Sequence, residues 1–147
     1  GDIDNDFQAT GLIRWLCEKG KQVVYVLGNH EGYSGVEWRD IEKHFEALSV
    51  ELDGFHFLNR RSVLIGEVEF IGATLWTSGQ LSGLGLSRAH VNDACQGLMN
   101  DFRIIKMDGD ILSFAKSNAE HHKDLKYIDI ALRGCARSSN RQEAKAC

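Results

Sequence analysis

The first third of the chain alternates between helical and strand patterns of apolar residues. Five residues recur along one helical stripe: Ala9, Leu12, Ile13, Leu16 and Cys17. Gly20 follows where a C-terminal cap belongs. The run 23–27 is apolar throughout and rich in β-branched residues, which predicts a strand buried on both faces. If residues 1–5 end an earlier strand, the order is that of a βαβ unit. Asp2 and Asn29 then lie at strand ends, where such units bind ligands.

Further along, the pattern predicts three more helices and several short strands. Ser34 and Glu37 have the spacing of a capping box, so a helix is expected to start there. Its apolar stripe is Trp38, Ile41, Phe45 and Leu48. Short apolar runs between 55 and 75 predict strands, of which the last two form a hairpin. The glycine- and serine-rich stretch 77–86 predicts a surface loop.

The C-terminal part predicts a helix capped near Ser87 and a last helix that is more polar in its first half. The apolar stripe of that last helix is Leu125, Ile128 and Leu132. No linker or repeat divides residues 1–132, so one domain is expected there. From Arg133 the sequence lacks a periodic apolar face, which predicts a disordered or out-of-pattern tail over 133–147.

Composition and charge narrow the class of protein. The 147 residues are 43% hydrophobic and 26% charged, which excludes a wholly disordered chain. A net charge of -4 without a lysine or arginine cluster gives no signal for nucleic acid or an anionic membrane. No apolar run approaches the roughly 18 residues of a membrane span, so no membrane association and a cytoplasmic location are expected. The four cysteines lack a Cys-x-x-Cys pair, which argues against a zinc ribbon or a disulfide framework.

Two short motifs carry the candidate chemistry, Gly1-Asp2-Ile3-Asp4-Asn5 and Gly28-Asn29-His30-Glu31. In order and spacing they resemble the middle motifs, Gly-Asp and Gly-Asn-His-Asp/Glu, of the calcineurin-like metallophosphoesterases. Segments 72–76 and 99–103 resemble a bacterial and phage-like branch of that family. The resemblance implies an α/β fold class, a partial α/β/β/α sandwich of two packed sheets with flanking helices. It also implies hydrolysis of phosphomonoesters or phosphodiesters by a metal-activated water.

The resemblance assigns roles to individual residues. Asp2 would bridge two divalent metal ions, which are manganese, iron or zinc in the family, and the Asn29 amide oxygen would bind one of them. His30 would stabilise or protonate the leaving oxygen of a phosphate-ester substrate. Either Asp4 or Asn5 would orient the His30 imidazole, and Asp4 is preferred because a carboxylate also stabilises the imidazolium. Glu31 is expected to anchor its loop.

Several family motifs do not occur in this sequence. The Asp-x-His motif that precedes Gly-Asp and the later histidine and Gly-His-x-His motifs are not found, and the first methionine is Met99. The chain is therefore expected to be a fragment with an incomplete site, inactive or weakly active alone. The alternative is a non-catalytic remnant that acts as a binding module or has no activity. A nucleotide-binding α/β domain is a weaker alternative, because no glycine-rich phosphate motif accompanies the first strand. The substrate, the native metals and the oligomeric state stay open.

Other polar residues have ordinary structural explanations. Adjacent residues on a helix point about 100° apart, so His121 and His122 are predicted to belong to a solvated helix face. Asp101 and Arg103 are expected to form an ordinary surface pair, with phosphate contact as the alternative. Trp76 and the stretch after it fit either a loop or a flap beside the substrate.

Overall fold

The computed structural model describes residues 1–79 and 87–143 as a mixed α/β fold. Its helices are α1 (Ala9–Glu18), α2 (Trp38–Glu51), α3 (Arg88–Leu98), α4 (Asp101–Ile104) and α5 (Phe114–Glu143), with a 3-10 helix at His30–Ser34. Its strands are β1 (Val23–Tyr25), β2 (Phe55–Phe57), β3 (Arg61–Ile65), β4 (Val68–Gly72), β5 (Lys106–Met107) and β6 (Asp110–Ile111). The strands pair into three two-stranded sheets, so the α/β class is confirmed.

Strands β1 and β2 are parallel and are connected through the 3-10 helix and α2. Their register pairs Val23 with Phe55 and Tyr25 with Phe57. The predicted apolar stripe of α2 is buried along its whole length and packs on β2, as helical spacing predicted. The βαβ unit of the described chain is therefore β1, α2 and β2, and the segment that begins at Gly28 follows the carboxyl end of β1.

The beginning of the chain differs from the prediction. Residues 1–2 have no regular structure and residues 3–8 form bends and turns, so the strand that was expected to end near Asp2 is not part of the described structure. Helix α1 is confirmed, and Gly20, with φ of 69°, donates its N–H to Cys17 at its C-terminal end. Strand β1 is shorter than the apolar run 23–27, because its pairing with β2 extends from Val23 to Tyr25.

The predicted capping box at Ser34 is wrong. Ser34 ends the 3-10 helix, and Gly35 adopts a left-handed φ of 76° that separates this helix from α2. Glu37 is the residue before α2, and its carboxylate accepts N–H bonds from Asp108 and Gly109 at 2.7 and 3.2 Å. Helix α2 therefore starts later than the capping-box pattern indicated, and the acidic residue of the pattern serves the β5–β6 turn instead.

Strands β3 and β4 form the predicted hairpin, which turns at Gly66 with φ of 61°. Helix α3 begins after Ser87, whose hydroxyl accepts the N–H of His90 as an N-cap, as predicted. Helix α5 starts well before its predicted apolar stripe and continues past Arg133 to Glu143, where a disordered tail was predicted. Most of the predicted 77–86 loop and residues 144–147 lie outside the described residues. In the described part, no helix combines the length and apolarity required to cross a membrane.

The hydrophobic core lies between α2 and the β1–β2 pair and extends to α4, β5 and the start of α5. Its fully buried members include Ile41, Phe45, Ile105, Met107 and Leu112. The rings of Tyr25 and Phe45 lie 5.0 Å apart at its centre. Trp38 packs edge-on against Trp76 with ring centroids 4.8 Å apart, so the core supports the segment after β4 directly.

Candidate active site

A cavity of about 300 Å³ opens beside the carboxyl end of β1. Its lining residues are Asp2, Gly28, Asn29, Thr74, Leu75, Trp76, Thr77, Met99 and Asp101. Two groups among them differ in chemistry. The acidic side consists of Asp2, Asn29 and Asp101, and the tryptophan side consists of the segment 75–77. The two predicted metal ligands therefore lie on one cavity, although they are far apart in the sequence.

Glu31 joins the two motifs that form the acidic side. Its side chain is fully buried and accepts four hydrogen bonds from uncharged donors. The donors are the N–H of Asp2 at 3.0 Å, of Ile3 at 3.1 Å and of Gly28 at 2.8 Å, and the Tyr25 hydroxyl at 2.7 Å. Burial, followed by the bond to Glu31, raises the pKa of Tyr25, which keeps this hydroxyl protonated and able to donate. The prediction that Glu31 anchors its loop is confirmed.

Gly1 and Gly28 allow the two segments to approach closely. A Cβ atom on Gly1 would overlap the backbone nitrogen of Gly28, and one on Gly28 would overlap the Asp2 carboxylate. Asp2 has a left-handed φ of 59°, and its Oδ1 accepts the His30 N–H at 3.1 Å. The Asp2 carboxylate is thus held directly over the start of the 3-10 helix, in a position that only glycine at residue 28 permits.

Asn29 is oriented by two residues from other elements. Its Nδ2 donates to Asp101 Oδ1 at 2.9 Å and to the Tyr33 hydroxyl at 3.2 Å. The Tyr33 hydroxyl in turn donates to the same Asp101 oxygen at 2.5 Å. Burial and the bond to Asp101 raise the pKa of Tyr33 to about 12, so the donor stays protonated at neutral pH. Because the nitrogen is held in this way, the Asn29 amide oxygen is the atom left to face a cation.

The prediction that Asp101 and Arg103 form an ordinary surface pair is wrong. Asp101 is buried on α4 and lines the cavity, whereas Arg103 is exposed and its guanidinium donates to the Gly97 carbonyl at the end of α3. The resemblance of segment 99–103 to the family is the one signal in the sequence for this position. Sequence pattern did not show that Asp101 orients Asn29, because that contact joins residues far apart in the chain.

His30 is exposed at the edge of the acidic side and is not one of the residues that line the cavity. Its ring packs on Tyr33 with centroids 4.7 Å apart. The Asp4 carboxylate accepts the N–H of Asn5 at 2.9 Å. Among the hydrogen bonds of the described residues, none joins Asp4 or Asn5 to the His30 imidazole. The roles of His30 as acid and of Asp4 as its orienting group therefore stay predictions.

The tryptophan side is held by the first part of α5. Asp124 accepts the Leu75 N–H at 2.9 Å, and the Ser117 hydroxyl donates to the Thr77 carbonyl at 3.2 Å. Between them, His121 Nδ1 bonds to the Trp76 carbonyl, which requires a proton on that nitrogen. The prediction of a solvated face is wrong for His121, which is half-buried, and right for the exposed His122.

The donor atoms of the acidic side fit part of a divalent cation's coordination shell. Two carboxylates and one amide form an oxygen-only set, which suits manganese or magnesium better than zinc or iron. Asp101 already holds Asn29 and Tyr33, so Asp2 and Asn29 are the two residues best placed to bind the ion directly. Within residues 1–79 and 87–143 no cluster of three or more His, Cys, Asp or Glu side chains is arranged to hold a metal.

Comparison with known proteins identifies no relative of this chain. No protein-family model, curated protein or solved structure matches the chain. The family resemblance consequently depends on the motifs at 1–5 and 28–31 and on the segments 72–76 and 99–103 of the sequence. Any function must be argued from the residues of the cavity themselves.

Proposed function

We propose that the chain carries half of the active site of a calcineurin-like metal-dependent phosphoesterase, which hydrolyses phosphomonoesters or phosphodiesters. The observation that supports this most is the convergence of Asp2 and Asn29 on one cavity. Their convergence follows from the four hydrogen bonds of Glu31 and from the close approach of Gly1 and Gly28. Two motifs that resemble a metal site in sequence thus each contribute a lining residue to one cavity.

The charge of the cavity explains why a metal ion would be needed. The described lining residues include the carboxylates of Asp2 and Asp101 but no lysine, arginine or histidine. A phosphate ester is an anion, so it would be repelled from such a surface unless cations neutralise it. When bound, two divalent ions of the kinds used by the family, which are manganese, iron or zinc, would polarise the phosphate and activate a water molecule as nucleophile. Of these three, the oxygen donors of this chain favour manganese.

The chain's own residues would then bind the metal ions and orient the groups that act on the substrate. Asp2 would provide the bridging carboxylate, and Asn29 a neutral oxygen whose direction is fixed by Asp101 and Tyr33. His30 would protonate the leaving oxygen, with Asp4 as its orienting group. In the family's sandwich, the β1–β2 pair and the β3–β4 hairpin would belong to the two packed sheets.

The proposal is tested first on metal binding by the chain itself. Calorimetric titration with Mn²⁺ should show weak binding that Asp2→Asn removes and that Asp110→Asn, an exposed carboxylate on β6, leaves unchanged. Binding that is unaffected by Asp2→Asn would place any metal elsewhere. No binding that depends on Asp2 is what the non-catalytic alternative predicts.

Activity is tested in the product of the longest open reading frame that includes this sequence. With Mn²⁺ it should hydrolyse p-nitrophenyl phosphate or bis-p-nitrophenyl phosphate. His30→Ala should lower kcat by roughly 100-fold or more, the usual contribution of a general acid. Asp2→Asn should lower the rate at least as much, whereas Asp110→Asn should not. Normal turnover in both site variants would reject the proposed function.

A further inference from the structure

Three side chains of α5 bind three consecutive residues of the tryptophan side. Ser117, His121 and Asp124 are spaced along one helical face, and they bond to the backbone of Thr77, Trp76 and Leu75 respectively. Ser117 and Asp124 are fully buried. The backbone of the tryptophan side is therefore held by a single rigid helix.

Leu75 has an unusual conformation at this point. Its φ is 56°, a left-handed value that is unfavourable for a residue with a bulky side chain. Such a conformation persists only where the surroundings impose it, and these outliers cluster at ligand sites. Here the surroundings include the Asp124 carboxylate on the Leu75 N–H. The Leu75 side chain remains about half exposed at the cavity, free to contact a ligand.

The chemistry of the tryptophan side differs from that of the acidic side. Leu75, Trp76 and Met99 give the cavity apolar surface next to the carboxylates. Trp76 is buried against Trp38, so it cannot turn away without disturbing the core. A ligand that fills both sides must therefore combine an anionic group with an apolar one.

We propose that the tryptophan side binds the leaving group of the substrate, and that Asp124, with Ser117 and His121, is a positioning residue for it. This inference rests on the proposed function, because it assumes that the phosphate lies at the acidic side. It defines the substrate class as phosphate esters whose leaving group is aromatic or otherwise apolar. Asp124 acts through Leu75 and does not itself line the cavity.

The test uses two ligands that share a phosphonate group and cannot be hydrolysed at their C–P bond. Phenylphosphonate and methylphosphonate are titrated into the chain in the presence of Mn²⁺. Phenylphosphonate should bind roughly tenfold tighter, as partial burial of a ring against apolar surface predicts. Asp124→Ala should reduce this ratio to about one, while Asp124→Asn, which keeps an oxygen for the Leu75 N–H, should largely restore it.

Glu120→Ala is the matched control. Glu120 lies on the same helix, is as buried as Asp124 and also pairs with Arg60, but its bonds go to side chains outside the tryptophan side. The ratio should therefore survive in this variant. An equal loss in Glu120→Ala would mean that α5 contributes general stability only, which would overturn the positioning role.

A second readout does not need a ligand. With 5-fluorotryptophan incorporated, the ¹⁹F resonance of Trp76, assigned through Trp76→Phe, should shift or broaden in Asp124→Ala and not in Glu120→Ala. The exposed Trp15 is the internal reference. Equal affinity of the wild-type chain for both phosphonates would overturn the leaving-group assignment and leave the proposed function standing. No binding of either ligand by a chain that binds Mn²⁺ through Asp2 would overturn this inference alone, whereas no Asp2-dependent Mn²⁺ binding would overturn the proposed function and this inference with it.

Discussion

The acidic side and the tryptophan side of the cavity are both held by a buried carboxylate, but the two carboxylates have different partners. Glu31 accepts bonds from three backbone N–H groups and one tyrosine hydroxyl. Asp124 accepts one backbone N–H and pairs with Arg60 at 2.7 Å. Arg60 also pairs with Glu120, which Arg39 and Lys123 contact as well.

This difference determines how each side should respond to change. When the donors to a carboxylate are mainly backbone N–H groups, its hydrogen bonds depend on the path of the backbone around it. A buried ion pair contributes little net stability, yet removing one member leaves an uncompensated charge. The acidic side should therefore depend chiefly on Glu31 itself, whereas the tryptophan side should depend on partners from α5 and from the turn before β3.

The largest expected effect is that of Glu31→Ala. Four donors would lose their acceptor at once, so the free energy of unfolding should fall by about 3 to 4 kcal/mol. Urea unfolding followed by circular dichroism measures this. Glu46→Ala is the control, because among the described residues Glu46 makes one long contact, to the exposed Arg61 at 3.4 Å. A loss below about 1 kcal/mol for Glu31→Ala would contradict the anchoring role.

Arg60→Ala should have the next largest effect, a loss of about 2 to 3 kcal/mol at neutral pH. Burial already raises the pKa of Asp124 from its ordinary 3.8 despite Arg60, and removal of Arg60 raises it further. A carboxyl group whose pKa is raised in the folded state favours folding at pH values below its unfolded-state pKa. It loses that contribution as the pH rises through its folded-state pKa. The penalty of Arg60→Ala should therefore shrink as the pH falls toward 3.8. A pH-independent penalty would show that the ion pair is not its source.

Leu75→Asn should change stability in the opposite direction. Asparagine tolerates the left-handed φ that leucine resists, so unfolding free energy should rise by about 0.5 to 1 kcal/mol. Leu64→Asn is the comparison, because Leu64 is also an exposed leucine but lies in β3 and has no positive φ. That variant should be slightly destabilising. Leu75→Asn should nevertheless weaken phenylphosphonate binding, since the apolar side chain is lost, and a parallel loss of stability would argue against strain.

The smallest effect concerns Tyr33 and appears only in alkali. Its pKa is raised from 10.0 to about 12, first by burial and then by the bond to Asp101. Its contribution to folding is complete below 10.0 and is lost as pH rises to about 12. Tyr33→Phe should make the unfolding free energy less dependent on pH in that interval. Unchanged alkaline behaviour, with the tyrosinate absorbance followed in parallel, would exclude this origin.

The sequence predicted features that depend on local pattern. The α2 stripe, the β3–β4 hairpin and the Ser87 cap follow from spacing within a few residues. The approach of Asp2 to Asn29 was predicted from motifs and family resemblance. The wrong prediction of a cap at Ser34 shows the limit of local pattern. Gly35 adopts a left-handed conformation, so the helix cannot begin directly after Ser34.

The remaining features arise from contacts between distant residues. Asp101 lies on a short helix and His121 on a polar helical segment. Nothing near either residue in the sequence indicates its partner. Strands β5 and β6 have two residues each, too few for any alternation to be visible. The contacts of Asp101 with the acidic side and of His121 with the tryptophan side were thus missed for one reason, because each joins residues far apart in the chain.

The four donors around Glu31 also bear on how this sequence can change during evolution. Three of them belong to the backbone, which no substitution can alter, so a change at residue 31 has no compensating change elsewhere. The Glu120 carboxylate instead bonds to the side chains of Arg39, Arg60 and Lys123, so a change at residue 120 can be compensated by changes at those positions. Among homologous sequences, position 31 should stay fixed, while position 120 should vary together with positions 39, 60 and 123.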